Sequence, residues 1–135
     1  MASRELIHEL EITDKVEWIQ PVPKHILIKY YNFADIVLDQ FLCGCWGTTT
    51  PEAMSCGTPV LLSFGESHIE YAFGEQPPIF PVYSEDEIYN GMIKLAKDTD
   101  YRLKLGKDSR EWIKKTHDPQ TIAQQHLDLW EKTIE

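Results

Sequence analysis

Residues 44–64 read GCWGTTTPEAMSCGTPVLLSF. Gly44, Gly47 and three consecutive threonines, Thr48, Thr49 and Thr50, precede a proline and a glutamate. Thr50 suits an N-cap, Pro51 a first helical position, Glu52 the electropositive first turn, and Gly57 a left-handed stop. A helix of barely two turns is therefore predicted over 50–56, and PVLLSF (59–64) reads as a buried strand. A well-capped connector would need nothing more. Two features point beyond it. Gly44 and Gly47 leave room for close approach to the backbone, and free N–H groups at a helix start attract phosphate. The motif also follows ADIVLD (34–39), a buried-strand pattern, so it leaves the carboxyl end of a strand, where open α/β sheets bind ligands. Asp39 and Gln40 end that strand, and Phe64-Gly65-Glu66 ends the next. An anion or nucleotide site is expected here.

Working outward, residues 3–10 show helical spacing, with Ser3 able to cap and Leu6, Ile7 and Leu10 on one face. KVEWI (15–19) alternates like a strand, and QPVP (20–23) is a stiff turn that leads into a helix with Ile26, Leu27, Tyr30 and Tyr31 as its apolar stripe. PIFPVY (78–83) suits an edge strand, because prolines are tolerated at edges. Ser84 and Glu87 form a capping box for a helix carrying Ile88, Met92, Leu95 and Ala96 on one side. Two further helices are predicted over 99–116 and 119–134, divided by Asp118-Pro119. The last aligns Ala123, His126, Leu127, Trp130 and Ile134, a stripe of core type. Strands alternating with helices imply a parallel sheet, since parallel neighbours need a crossover. The expected class is α/β: a Rossmann-like parallel sheet with helices on both faces and a helical C-terminal tail. Because the pattern opens on a helix, the N-terminal edge of such a domain is expected to be missing.

The 135 residues suffice for one domain with a core of its own. A net charge of −9 argues against a nucleic-acid binder, which needs a basic face, but leaves room for a small anion held locally. MASRELIHEL carries charges throughout, unlike a secretory signal, and no apolar run spans a bilayer, so a cytoplasmic location is expected. Cys43, Cys45 and Cys56 cannot all pair within the chain, and no fourth ligand at a recognised spacing makes them a metal site. They read as small packing residues. Cys45, near a helix start, has no evident base partner. Of His8, His25, His68, His117 and His126, only His68 follows a strand into the presumed crevice. Neither a Gly-x-Ser-x-Gly elbow nor a P-loop is present.

The run YYNFADIVLDQFLCGCWGTTTPEAMSCGTPVLLSF (30–64) resembles the nucleotide-sugar-binding half of family 4 retaining glycosyltransferases, whose GT-B fold has two facing Rossmann-like domains. The matching pieces are ADIVLDQF, the G-x-x-G of Gly44 and Gly47, and PEAMSCGTPV around Glu52, with weaker similarity over DKVEWIQPVP and WIKKTHDPQTIAQQHLDLWE. The resemblance implies that Glu52 accepts hydrogen bonds from the ribose hydroxyls of a nucleotide-diphosphate sugar. It also implies that Gly47, Thr48 and Thr49 meet the diphosphate or donor sugar, and that Ile19 to Val22, with Gln20, lies against the base. Such enzymes are thought to let the leaving phosphate assist the acceptor hydroxyl, so the domain supplies no nucleophile. It requires no cofactor or metal, the nucleotide sugar being substrate.

Two departures qualify the likeness. The first of the family's two glutamates corresponds to Gly44, which leaves Asp39 or Gln40 as substitutes. The Arg and Lys that neutralise the diphosphate, and the domain that binds an acceptor glycan or lipid-linked sugar, belong to parts of the family ahead of this chain. The chain is thus expected to be the donor-binding part of a larger enzyme, inactive alone, with any membrane association in the other half. Two alternatives stay open: a non-catalytic α/β interaction domain docking through its C-terminal helices, and an epimerase of similar architecture.

Overall fold

Val60, Leu61 and Leu62 are completely buried, because a parallel strand in mid-sheet is covered on both faces. The computed structural model of the chain describes residues 3–65 and 73–134. In chain order the elements are α1 (Ser3–Glu9), a 3-10 turn (Thr13–Lys15), α2 (Lys24–Phe33), β1 (Val37–Leu38), α3 (Thr49–Cys56), β2 (Val60–Leu62), β3 (Phe80–Pro81), α4 (Glu85–Lys97), α5 (Thr99–Thr116) and α6 (Pro119–Ile134). The sheet has the order β1-β2-β3 and is parallel throughout, with Val37 opposite Val60, Leu61 opposite Phe80 and Leu62 opposite Pro81.

Successive residues of β2 point to opposite faces and so serve two clusters. Val60 and Leu62 pack with Tyr31 of α2, Ala53 and Met54 of α3, and Trp112 and Ile113 of α5. Leu61 packs with Val82, Leu95 of α4 and Leu105 of α5. Helices therefore cover both faces, as the alternating pattern predicts. The end of α3 and the middle of α5 approach each other closely. Gly57 ends α3 at φ 78°, and a Cβ on Gly106 would lie 2.0 Å from the Gly57 carbonyl oxygen. Ser109, also on α5 and fully buried, places its hydroxyl 2.5 Å from the Pro78 carbonyl, which fixes the helix to the approach to β3.

Several elements differ from the sequence reading. KVEWI is no strand: Lys15 closes the 3-10 turn, Val16 is extended, and β1 takes its ladder bonds from β2 alone. ADIVLD contributes only Val37–Leu38 to the strand, because Ala34 still caps α2, although the Asp39 N–H continues the ladder to the Leu61 carbonyl at 3.1 Å. The helix α3 starts at Thr49 with Thr48 at the N-cap, so Thr50 is inside the first turn and not its cap. The capping box of α4 forms one half as expected, with the Glu87 N–H donating to Ser84 Oγ at 3.3 Å. The Glu87 carboxylate, however, accepts from the N–H of Tyr83, one residue before the cap. The stripe of α6 is not core: Leu127 and Trp130 are 49% and 66% exposed. β3 does lie at the sheet edge, and α5 and α6 match their predicted spans.

Candidate functional site

The chain leaves β1 at Asp39 and enters a loop that three consecutive residues anchor. The Gly44 carbonyl accepts from the Gly65 N–H at 2.8 Å, and Gly44 itself sits at φ 63°, a conformation side chains disfavour. The Gln40 side-chain amide donates to the Cys45 carbonyl, while the Gln40 carbonyl accepts from Ser63 N–H at 2.9 Å. The Trp46 ring stacks on Phe64 with centroids 4.8 Å apart and planes 20° apart. Beyond these anchors Gly47 and Thr48 are exposed, and Thr49 is half-buried. A Cβ placed on Gly47 would meet nothing within 4 Å. Among the described residues, none accepts a hydrogen bond from the N–H of Gly47, Thr48, Thr49 or Thr50. Helix starts carry such orphan donors and the positive end of the helix dipole.

One turn further along α3, polar side chains converge. The buried Thr50 hydroxyl donates to the Asp39 carboxylate at 2.6 Å, tying the helix start to the strand end. Glu52, whose side chain is 20% exposed, forms an ion pair with Lys24 of α2 at 2.8 Å. Its hydrogen bond, and then its charge, raise the Lys24 pKa above the usual lysine value. Tyr31 titrates above its ordinary range, chiefly through burial. A hydrogen bond with Thr49 opposes that shift, and the charges of Glu52 and Asp39 reinforce it. Glu52 also borders a groove of about 370 Å³ between α2, α3 and α5, lined by Lys24, Ile28, Asn32, Ser55, Cys56 and Arg110. Burial pushes the Cys56 thiol up, which keeps it protonated and unreactive there.

The structure thus gathers Asp39, Thr49, Thr50 and Glu52 around Tyr31, with Gln40, Gly44, Gly47 and Thr48 forming the adjoining loop. Gln20 stands apart: it is exposed on the irregular segment before α2, and its side chain makes no hydrogen bond among the described residues. His68 and Glu66 lie outside the described residues. His8, His25 and His126 are exposed, and His117 lies among aromatic rings, where burial lowers its pKa. Cys43, Cys45 and Cys56 are free, and among the described residues no three His, Cys, Asp or Glu side chains gather as metal ligands. Also among these residues, no helix is long and apolar enough to cross a membrane.

Three neighbours of the site escaped the sequence reading. Lys24 has no place in that reading, and Tyr31 enters it only as one member of an apolar stripe. Trp46 carried a signal of its own, because a tryptophan between two loop glycines must find a place to bury its ring.

The sequence model describing glycosyl transferases of group 1 matches residues 2–112, and the chain belongs to that family. Among curated proteins it is 28% identical over 109 residues to a D-inositol 3-phosphate glycosyltransferase of Corynebacterium glutamicum, and 26% identical over 111 residues to one of Kribbella flavida. These alignments cover 80% and 82% of this chain and 26% of each relative, so the chain spans about a quarter of their length. Among solved structures it superposes on sucrose-phosphate synthase from Thermosynechococcus elongatus with a TM-score of 0.76 and 22% identity, covering 97% of this chain and 33% of that one. That likeness establishes the Rossmann-like fold of a fragment of a GT-B protein.

Proposed function

We propose that this chain is the donor-binding part of a glycosyltransferase that moves a sugar from a nucleotide diphosphate to an acceptor hydroxyl with retention of configuration. The observation that carries the reading is the run of three unengaged N–H groups, Gly47 to Thr49, one turn from the Glu52 carboxylate. A diphosphate needs several fixed donors, and a vicinal diol needs a carboxylate that can accept twice. The glycine loop would meet the diphosphate, and Glu52 the ribose. As the sugar–oxygen bond breaks, negative charge grows on the leaving phosphate, and amide donors already in place stabilise it. The phosphate then takes the proton of the incoming hydroxyl, so no side-chain nucleophile is required.

The relatives are named for transfer to inositol phosphate, which supports transfer to a hydroxyl. Acceptor binding falls to residues outside this chain, whether the acceptor is a glycan or a lipid-linked sugar, and the chain alone has little or no transferase activity in this reading. Titration with uridine, guanosine and adenosine diphosphates tests it. Amide shifts centred on residues 44–52 are expected, and a titration in which those amides stay still while the protein remains folded rejects the site. A second reading rests on Leu127, Leu129 and Trp130, all exposed on α6. In that case residues 119–134 dock a partner, and shifts gather there on adding the partner and not the nucleotide.

A further inference from the structure

Trp46 occupies a place that neither the glycine loop nor the helix start explains. Its indole leaves the loop between Cys45 and Gly47 and enters an aromatic seat built from distant parts of the chain. Phe64, just after β2, stacks on it at 4.8 Å. Phe73 lies 5.0 Å away, tilted by 47°. Trp112 of α5 meets it edge-on at 6.0 Å, and His117, between α5 and α6, lies at 6.4 Å. The seat is itself braced: Trp112 Nε1 donates to the Glu75 carboxylate at 2.8 Å, and Thr116 Oγ1 lies 2.8 Å from His117 Nδ1.

We propose that Trp46 is the positioning residue of the glycine loop, holding the unengaged N–H groups of Gly47, Thr48 and Thr49 in the arrangement that receives the phosphates. The loop's other anchors, the Gly44 carbonyl and the Cys45 carbonyl, are both acceptors on the upstream side. Downstream, among the described residues, the Gly47 backbone makes no hydrogen bond, and Thr48 caps α3 without a side-chain hydrogen bond. The indole is the last fixed point before the open backbone. Each well-placed ring pair adds to what area burial supplies, and four rings meet on this one side chain. Removing the ring frees the loop to sample other conformations, so the donors must then be ordered at the moment of binding.

The inference rests on the donor-site reading, and two measurements separate their failures. Amide hydrogen exchange, which needs no ligand, compares the chain with Trp46→Ala and Trp46→Phe. Exchange of the Gly65 and Glu52 amides, which donate to the Gly44 and Thr48 carbonyls of the loop, is expected to rise about tenfold or more in Trp46→Ala while Val60, Leu61 and Leu62 stay protected, and Trp46→Phe is expected to restore most of the protection. The second measurement is affinity for uridine, guanosine and adenosine diphosphates against the matching nucleosides. Trp46→Ala is expected to weaken the diphosphate that binds by about tenfold and leave its nucleoside within about twofold, because Glu52 lies outside the loop. Unchanged loop exchange in Trp46→Ala overturns the inference, as does an equal loss for diphosphate and nucleoside. If the unmodified chain binds none of these ligands, the donor-site reading fails and exchange alone decides the positioning role. If β2 loses protection together with the loop in Trp46→Ala, Trp46→Leu and Trp112→Phe replace it. Joint loss in these as well makes Trp46 a residue of the whole core and overturns the inference.

Discussion

The Thr50 hydroxyl donates a 2.6 Å hydrogen bond to the Asp39 carboxylate and thereby joins the first turn of α3 to the end of β1. Ten residues of loop and helix start lie between them, so this bond closes the segment that carries the candidate site. Thr50 is fully buried, and its methyl group packs whether or not the hydroxyl is bonded. Thr50→Val preserves shape and removes only the donor. A hydrogen bond to a charged group contributes about 1.5–3 kcal/mol, and a loss in that range is expected. Asp39→Asn keeps an acceptor oxygen and is expected to cost about 1 kcal/mol or less. Urea unfolding with an unchanged slope reads both values, and equal losses in the two variants would show that Asp39 matters for some other contact.

Gly57 and Gly106 make a second pair whose substitutions are expected to differ in size. Gly57 lies at φ 78°, but a Cβ there would meet the Gly106 carbonyl at 3.6 Å and the Arg110 side chain at 3.8 Å, both ordinary contacts. Gly57→Ala thus carries only the left-handed backbone cost, about 1–2 kcal/mol. A Cβ on Gly106 would stand 2.0 Å from the Gly57 oxygen and 3.0 Å from its carbonyl carbon, both backbone atoms that cannot rotate away. Gly106→Ala must push α3 and α5 apart and is expected to cost about 3 kcal/mol or more. Thermal unfolding of the two variants checks the order, and a Gly106→Ala midpoint at or above that of Gly57→Ala would reverse it.

How far the fold could be read depended on where each segment's partners lie. The end of α5 and the edge position of β3 follow from signals within a few residues: the Asp118-Pro119 break and the prolines around Phe80. KVEWI fails because a strand needs a neighbour, and alternation says nothing about whether one is present. Thr50 looked like a cap because threonine serves both ends of the same bond type. Its actual acceptor, Asp39, is eleven positions back and becomes visible only when strand and helix are placed. Around the site, Glu52 and the glycine loop were legible as residue types in order, whereas Lys24, Tyr31 and the seat of Trp46 are products of α2 and α5 folding onto α3.

The outer face of α6 separates an amphipathic pattern from actual burial. Leu127 and Trp130 fall on the stripe that periodicity assigns to a core, yet both are largely exposed. Substitutions at exposed positions without special partners stay within about 0.5 kcal/mol. Leu127→Ser and Trp130→Ser are therefore expected to leave the unfolding midpoint nearly unchanged. A loss of about 2 kcal/mol in either, measured on the monomer by dilution, would mean that α6 packs on this chain after all.

Burial holds the His117 imidazole below its ordinary pKa among Trp46, Phe73 and Trp112. The folded protein therefore resists protonation there more than the unfolded chain does. Above the unfolded value of about 6.5 both states are neutral and the contribution is fully present. As pH falls below that value the unfolded chain takes up the proton first, so stability declines until the pH passes the lower folded pKa. A drop in urea midpoint beginning near pH 6.5 is expected, with a shallower slope in His117→Gln. Equal slopes over that window would remove His117 from the account.

Glu52 and Lys24 form one ion pair but are expected to differ sharply in their effect on nucleotide binding. Glu52 is mostly covered and is fixed on α3, whereas the Lys24 side chain is 71% exposed and free to leave. A carboxylate that accepts from two ribose hydroxyls loses about 1.5–3 kcal/mol of binding when one oxygen becomes an amide, so Glu52→Gln is expected to weaken a nucleoside diphosphate at least tenfold. An exposed lysine paired in water contributes little, and Lys24→Gln is expected to change the same affinity by less than about threefold. Calorimetric titration distinguishes the two. If Lys24→Gln proves the more damaging, the ammonium itself contacts the ligand; if neither variant alters affinity, the ribose is held elsewhere and Glu52 serves only to fasten α2 to α3.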